Sequence, residues 1–417
     1  MQRLKIFVSA YACEPDLGSE IGVGWHWVLE MSKYFELWVL TRESNRHTIE
    51  PWIAAHPEYA HIHWLYYDWP KWARCWKKGL RGVRTYYNLW QISTNHIVKR
   101  TMIENDIPIF HHLTYGNALW KVSAYGQKRF FIWGPTSAGV VTPKDFTQHY
   151  SFLSRLKESL QRFMKKYIFL NVGFNERCKY ANLILCKTDD TIDCISEKYK
   201  QKCIQFTDVA VDRRDVSIYS RDKEKDGIIR FFAAGTMVGW RNFDVLIDAF
   251  AEAVVKNCQI SLLILGGGSE YRRLQKRVVE RGMKSYIQMP GQVDVSTYYN
   301  YLAQSDVVIN PCFREGAVTV SFDSMNFSKP LICFDTKGYT HHFSEEHCRI
   351  IKNIKNRNEA VQRLSEEILY MTDFKKIEEM GIKAFEAGKE LDWQHKGESI
   401  YRIFIEFYKR NDTSDTK

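Results

Sequence analysis

Short apolar runs of strand type alternate with amphipathic, helix-spaced stretches along most of this 417-residue chain, and that alternation constrains the fold more than any other feature. KIFVSA from residue 5, LWVLT from 37, IIRFFAAG from 228, SLLILGG from 261 and DVVINP from 306 read as strands, with apolar residues at helical spacing between them. Such a pattern argues for α/β domains built on parallel sheets. The length, with 45% hydrophobic and 26% charged residues, suits two ordinary globular domains. The basic, polar stretch SRDKEKDG at 220–227 reads as the linker between them.

Ten cysteines are scattered without a C-x-x-C pair, and Cys186, Cys258 and Cys333 lie in or beside apolar runs. Buried, reduced thiols are expected. The chain opens directly into its first strand, without a signal peptide, and holds no apolar run near the roughly 18 residues that span a bilayer. The expectation is a cytoplasmic protein. Its net charge of +10 is unevenly spread. Residues 69–100 place Lys71, Arg74, Lys77, Lys78, Arg81 and Arg84 among Trp69, Trp72, Trp76, Tyr86, Tyr87 and Trp90, with no acid. Residues 152–170, FLSRLKESLQRFMKKYIFL, set Leu, Phe and Ile at helical spacing beside Lys and Arg. Both suit an anionic membrane surface, where each cation adds about 1 kcal/mol; a solvated helix face with core aromatics is the plainer alternative. No motif for reading nucleic acid accompanies them.

The chemistry concentrates at residues 311–334, PCFREGAVTVSFDSMNFSKPLICF. Strand-type runs at 306–310 and 331–334 flank this segment, so a helix should lie between them. Glu315 then falls in the loop after a strand. Gly316 frees the backbone, and the amides of Gly316, Ala317 and Val318 become the unpaired donors of a helix N-terminus, which attracts phosphate. Asp323 follows about two turns on, at roughly 3.6 residues per turn, so both carboxylates can accept hydrogen bonds from sugar hydroxyls. Two unrelated acids at a solvated helix start would give the same spacing.

This segment resembles the E-x7-E region of family 4 retaining glycosyltransferases, with Asp323 in place of the usual second Glu. The N-terminal unit, with ACEP, GSE and GWxW at 12–27, resembles that of a bacterial subgroup of the family. HHLTYGNALW (111–120), GPTSAG (134–139), AAGTMVGWRNFDVLIDAF (233–250), LGGGSE (265–270) and PGQV (290–293) continue the likeness, which covers nearly the whole chain. The resemblance implies the GT-B fold: two Rossmann-like lobes facing across a cleft, with a final helix crossing back to the first. The expected domains are 1–219 on the acceptor side, joined by 395–417, and 220–394 on the nucleotide-sugar side.

Roles follow from the resemblance position by position. Gly18 and Ser19 fall near the donor diphosphate, and Glu20 begins the next helix on the acceptor side. His111 and His112 end a strand, and one of them should reach the donor sugar, since successive strand residues point to opposite faces. Gly134 and Pro135 belong to an acceptor-side loop. Val293 stands where the backbone meets the nucleobase, Asp323 where ribose is held, and Glu315 where the transferred sugar is held. The family's diphosphate grip is Gly-Arg followed by Lys-Gly. Here Gly235 is kept, Thr236 replaces the first cation, and Arg241 keeps the second. No Asp-x-Asp motif offers to hold a metal, and no metal or cofactor is expected, the nucleoside diphosphate-sugar being a substrate.

The loop GSEIGVG at 18–24 also suggests a dinucleotide site, but it lacks G-x-G-x-x-G spacing and puts Trp25 and Trp27 where small residues belong. The expected activity is transfer of a sugar, with retention, from a nucleoside diphosphate to a glycan or lipid-linked acceptor in bacterial surface-polysaccharide assembly, peripherally on the inner face of a membrane. A catalytically weak glycan-binding or scaffold relative is the alternative, and a same-fold epimerase or phosphorylase is a third.

Overall fold

A computed structural model of the chain describes residues 3–76, 82–126, 128–148, 150–219, 226–314 and 318–414. Contacts divide the chain into two units, the first holding 1–139, 166–208 and 393–417, the second 140–165 and 209–392.

Among the described residues the first unit has seven parallel strands: β1 (Lys5–Ser9), β2 (Glu36–Arg42), β3 (His63–Tyr67), β4 (Ile109–His112), β5 (Phe130–Thr136), β6 (Leu183–Cys186) and β7 (Cys203–Gln205). They lie in the order β3-β2-β1-β4-β5-β6-β7. Central β1 sets Phe7 between Trp38 of β2 and Phe110 of β4. Four of its five residues are buried, as in a strand covered on both faces. The helix Trp393–Ser414 packs on this unit through aromatic pairs, His26 with Trp393 at 4.9 Å, Tyr34 with Tyr401 at 5.1 Å and Phe35 with Phe404 at 6.0 Å.

The second unit has six parallel strands among the described residues: β8 (Ile229–Ala234), β9 (Ile260–Leu265), β10 (Ile287–Gly291), β11 (Val307–Asn310), β12 (Leu331–Phe334) and β13 (Cys348–Ile351). Their order is β10-β9-β8-β11-β12-β13. Both sheets therefore reverse direction of growth once, between β1 and β4 in one and between β8 and β11 in the other. In open α/β sheets, ligands collect beyond the carboxyl ends of the strands at such a switch point. The loops after these four strands begin the motifs at 10–18, 113–120, 235–242 and 311–314.

Three arginines from two helices lock the helical layer of the second unit. Asp248, fully buried in the helix Phe243–Lys256, accepts Arg281 Nε at 2.8 Å, Arg357 Nη2 at 2.6 Å and both ends of the Arg277 fork. Burial alone would raise its carboxyl, but the hydrogen bonds from Arg277, Arg281 and Arg357 outweigh it and hold the group at about 2.

The contact division departs from the expected boundary at residue 219, because 140–165 and 209–219 pack with the second unit. Phe146 enters that unit's core, Tyr150 Oη donates to Asn242 Oδ1 at 2.8 Å, and Ser151 Oγ donates to Glu270 Oε1 at 2.7 Å. These contacts join residues about a hundred positions apart, which no local pattern announces. The expected linker at 220–227 lies mostly outside the described residues. All ten cysteines are free thiols, and Cys333 and Cys348 face each other across β12 and β13 at 3.6 Å.

The aromatic residues of 69–100 divide between surface and interior. Trp72 is exposed, but Tyr86, Tyr87 and Trp90 are wholly buried on one face of the helix Val83–Ser93, where 3.6-residue spacing brings them together. Arg74 pairs with Asp68 at 2.9 Å, and Arg84 lies over the Trp120 ring. Half of the six aromatic residues are thus core, while Trp72 and Trp76 stand at the surface. Lys77, Lys78 and Arg81 lie outside the described residues. No helix among the described residues is long and apolar enough to cross a membrane.

Candidate functional site

In the first unit the two histidines of β4 go to opposite sides, as alternation requires. His111 is buried against Trp27 and Phe404, and its Nε2 donates to Gly134 O at 2.7 Å. Burial pushes His111 down to about 4, against that hydrogen bond. His112 turns to the helix Val83–Ser93, where its Nε2 meets Tyr87 Oη at 3.0 Å. Burial, then His111 and Arg177, push it down to about 3. Both imidazoles are therefore neutral at pH 7, suited to hydrogen bonding and not to standing as cations.

His112 shares its surroundings with Glu20. Tyr87 packs on Tyr115 at 5.1 Å, and the Tyr115 amide donates to Glu20 Oε1 at 2.7 Å. Tyr11, on the loop after β1, sits edge-on to both tyrosines at 5.2 Å. Glu20 is thus fixed by the loop after β4, and Gly18 precedes it as an exposed, extended cap of the helix Ser19–Ser32. Gly134 and Pro135 lie beside the 111–120 motif, with Ser137 N donating to Gly116 O at 2.6 Å. A side chain at Gly134, whose φ is +119°, would stand 2.4 Å from Leu185 O, so glycine is required there by the backbone alone.

Sequence reasoning missed the tyrosine group. Tyr115 lies inside the motif at 111–120 and Tyr11 directly before ACEP, but the composition around Tyr87 suggests an interfacial aromatic. It also missed a buried charge cluster in which Lys187 pairs with Asp208 while Lys396 donates to Thr207 O at 2.7 Å. Burial, opposed by Asp208, lowers Lys396 to about 7. No local signal links residues 187, 208 and 396.

In the second unit the loop after β8 is braced by the glycine-rich turn after β9. Gly235 N donates to Leu265 O at 3.0 Å, Met237 N to Gly267 O at 2.8 Å, and Glu270 N to Met237 O at 3.0 Å. A Cβ at Gly266 would lie 2.0 Å from Gly235 O, and one at Gly268 would lie 2.3 Å from Met237 O. Only glycine permits that approach. The Arg241 guanidinium folds back over Gly235 and lies 5.1 Å from the Trp240 ring, with Arg314 on the same ring at 5.2 Å. Thr236 is exposed. Asn242 takes the left-handed conformation, φ 56°, at the place where the family has glycine, and its amide donates to Pro311 O at 3.2 Å. The loops after β8 and β11 are thereby joined.

An open pocket of about 460 Å³ lies beyond β9 and β10, lined by Gly267 to Ser269, Tyr271, Arg272, Gly291 and Gln292. Val293 follows at its edge, half-buried. Val318 is buried and caps the helix Thr319–Asn326. Glu315, Gly316 and Ala317 lie outside the described residues. No group of three or more His, Cys, Asp or Glu side chains suited to a metal stands among the described residues.

Asp323 is buried in that helix and accepts Tyr298 Oη at 2.8 Å. Burial raises its carboxyl to about 7, against the tyrosine hydrogen bond. Since its folded value lies above the unfolded one of about 3.9, the stability it contributes is complete below pH ~4 and lost as pH rises toward 7. Asp323→Asn should therefore raise the melting temperature at pH 8 and leave it unchanged near pH 4. An equal change at both pH values would contradict this.

Residues 218–386 match the model of the family described as glycosyl transferases group 1. The UDP-N-acetylglucosamine–peptide N-acetylglucosaminyltransferase GtfA subunit of Streptococcus gordonii is 26% identical over 141 residues, 34% of this chain and 27% of that protein, so the match spans little more than a quarter of the relative. Sucrose-phosphate synthase from Thermosynechococcus elongatus superposes with a TM-score of 0.61 at 13% identity, over 98% of this chain and all of the other. HepE of Anabaena, solved with UDP and glucose, gives 0.57 at 12% identity, over 97% of this chain and all of that one. Two Rossmann-like lobes, with a last helix packed on the first, give the chain the fold of the GT-B glycosyltransferases, and its second lobe carries the group 1 match.

Proposed function

We propose that the protein transfers a sugar, with retention of configuration, from a nucleoside diphosphate to a glycan or lipid-linked acceptor. The observation that carries this reading is the loop after β8, where Arg241 lies over Gly235 at the switch point of the second sheet, beside the open pocket at β9 and β10. The guanidinium would grip the diphosphate together with the amides opening the helix Thr319–Asn326, in a metal-independent way. The pocket, with Val293 at its rim, would take the base. Glu315 would hold the sugar and Asp323, once ionised, the ribose. The departing phosphate would help take the acceptor's proton, so no enzyme carboxylate need attack. His112 and Glu20 would line the acceptor side, with Gly134, Pro135 and Ser19 supplying backbone. The setting is surface-polysaccharide assembly, peripherally on the inner face of a membrane.

HepE binds UDP and glucose, which makes uridine the first base to try. UDP at 100 times its dissociation constant should stabilise the protein by about 2.7 kcal/mol, read as a rise in melting temperature, while other nucleoside diphosphates do less. Acceptor-dependent release of UDP from a UDP-sugar, with the product's anomeric configuration read by NMR, then tests transfer. If no nucleoside diphosphate shifts the melt, the exposed Thr236 marks a lost site, and a glycan-binding or scaffold role takes precedence.

A further inference from the structure

The helix Phe152–Lys166 is folded with its polar face inward. Glu158 is buried and pairs with Arg314, which also donates to Gln161. Ser154 Oγ donates to Glu270 Oε1 at 2.8 Å, and Arg162 Nη2 to Thr142 O at 2.9 Å. At 3.6 residues per turn these four positions share one side of the helix. The opposite side carries Phe152, Leu153, Leu156, Leu160 and Phe163, each 57–71% exposed. An ordinary surface helix has the reverse arrangement.

Cations border the outward apolar arc. Arg155 and Lys166 stand on one flank and Lys157 on the other, all exposed. The helix's acid, Glu158, is turned inward and neutralised by Arg314. The outward face is therefore Leu and Phe edged by positive charge, on a chain of net charge +10. Two copies meeting through this face would set cation against cation. A bilayer with anionic headgroups satisfies both parts, the apolar side chains entering the acyl boundary while Arg and Lys reach the phosphates.

We propose that the helix Phe152–Lys166 lies in the plane of an anionic bilayer as the protein's membrane anchor, fastened to the donor-binding unit through Glu158 and Arg314. The inference rests on the membrane setting proposed above and gives it an element and a lipid charge. Arg314 directly precedes Glu315, so the anchor is tied to the loop after β11.

The test is sedimentation of the full chain with phosphatidylcholine vesicles, with and without phosphatidylglycerol. Wild type should bind the phosphatidylglycerol vesicles, more weakly at high salt, and scarcely bind phosphatidylcholine alone. The triple variant L153Q/L156Q/L160Q should lose at least about tenfold in partitioning while melting as wild type does, because these side chains are exposed. R155Q/K157Q/K166Q should lose the preference for phosphatidylglycerol. Wild type that stays in solution with phosphatidylglycerol vesicles, or a leucine variant that binds them as wild type does, overturns the proposal. So does a wild-type dimer that the leucine variant abolishes without vesicle binding, which would assign the face to a second copy. UDP-induced melting shifts on the same samples keep the two readings apart: vesicle binding without a UDP shift sinks the donor site and leaves the anchor, and the converse sinks the anchor alone.

Discussion

Arg241→Ala should lower sugar transfer by about 10²–10³ and abolish the melting shift produced by UDP. Thr236 brings no charge to the loop after β8, so in the proposed site the cationic grip on a leaving diphosphate would fall to the guanidinium over Gly235. Arg241→Lys should recover part of the rate, since it restores the charge without the planar fork. Arg241→Gln separates packing on Trp240 from charge, and a Gln variant transferring at the wild-type rate would refute the assignment. Neither change should alter the melting temperature of the free protein by more than a few degrees, because the loop is held by main-chain hydrogen bonds from Gly235 and Met237.

Asp248→Ala should cost about 3–5 kcal/mol of stability, because it removes the carboxylate and leaves three guanidiniums gathered around an uncharged site. Asp248→Asn should cost less, as its carbonyl still accepts one hydrogen bond. The pH dependence has a definite sign. The folded value of about 2 lies below the unfolded value of about 3.9. The contribution is therefore complete above pH ~4 and is lost as pH falls toward 2. The stability difference between wild type and Asp248→Asn, followed by urea denaturation, should shrink over that interval. A difference that stays constant from pH 6 to pH 2.5 would show that the arginines do not depend on this carboxylate.

The two parallel sheets were legible because their central strands are covered on both faces and read as unbroken apolar runs, as in IFV of β1 and VVIN of β11. Within one loop Arg241 lies over Gly235, and the turn at Gly266 to Gly268, for which the sequence names no partner, braces that loop. Three things were hidden. The burial of Asp323 against Tyr298 depends on a contact 25 residues away in sequence. Tyr87 lies in a basic, aromatic stretch whose composition fits a membrane surface, and only the packing of its helix puts it on His112. The outward arc of Phe152–Lys166 was visible as periodicity, but periodicity does not say which face turns inward. That was decided by Arg314, 156 residues away from Glu158 in sequence.

The chain passes between its two units four times, at 139/140, 165/166, 208/209 and 392/393. The segment matched by the family model, 218–386, is therefore smaller than the body that folds around it. A fragment cut to that match would lack Phe146, which packs on Phe313 at 4.6 Å, and the hydroxyl of Tyr150 that holds Asn242. The matched segment and the compact unit therefore differ in extent. Swapping the second lobe between relatives would have to carry residues 140–165 along with it, or the recipient would meet a donor half with part of its interior missing.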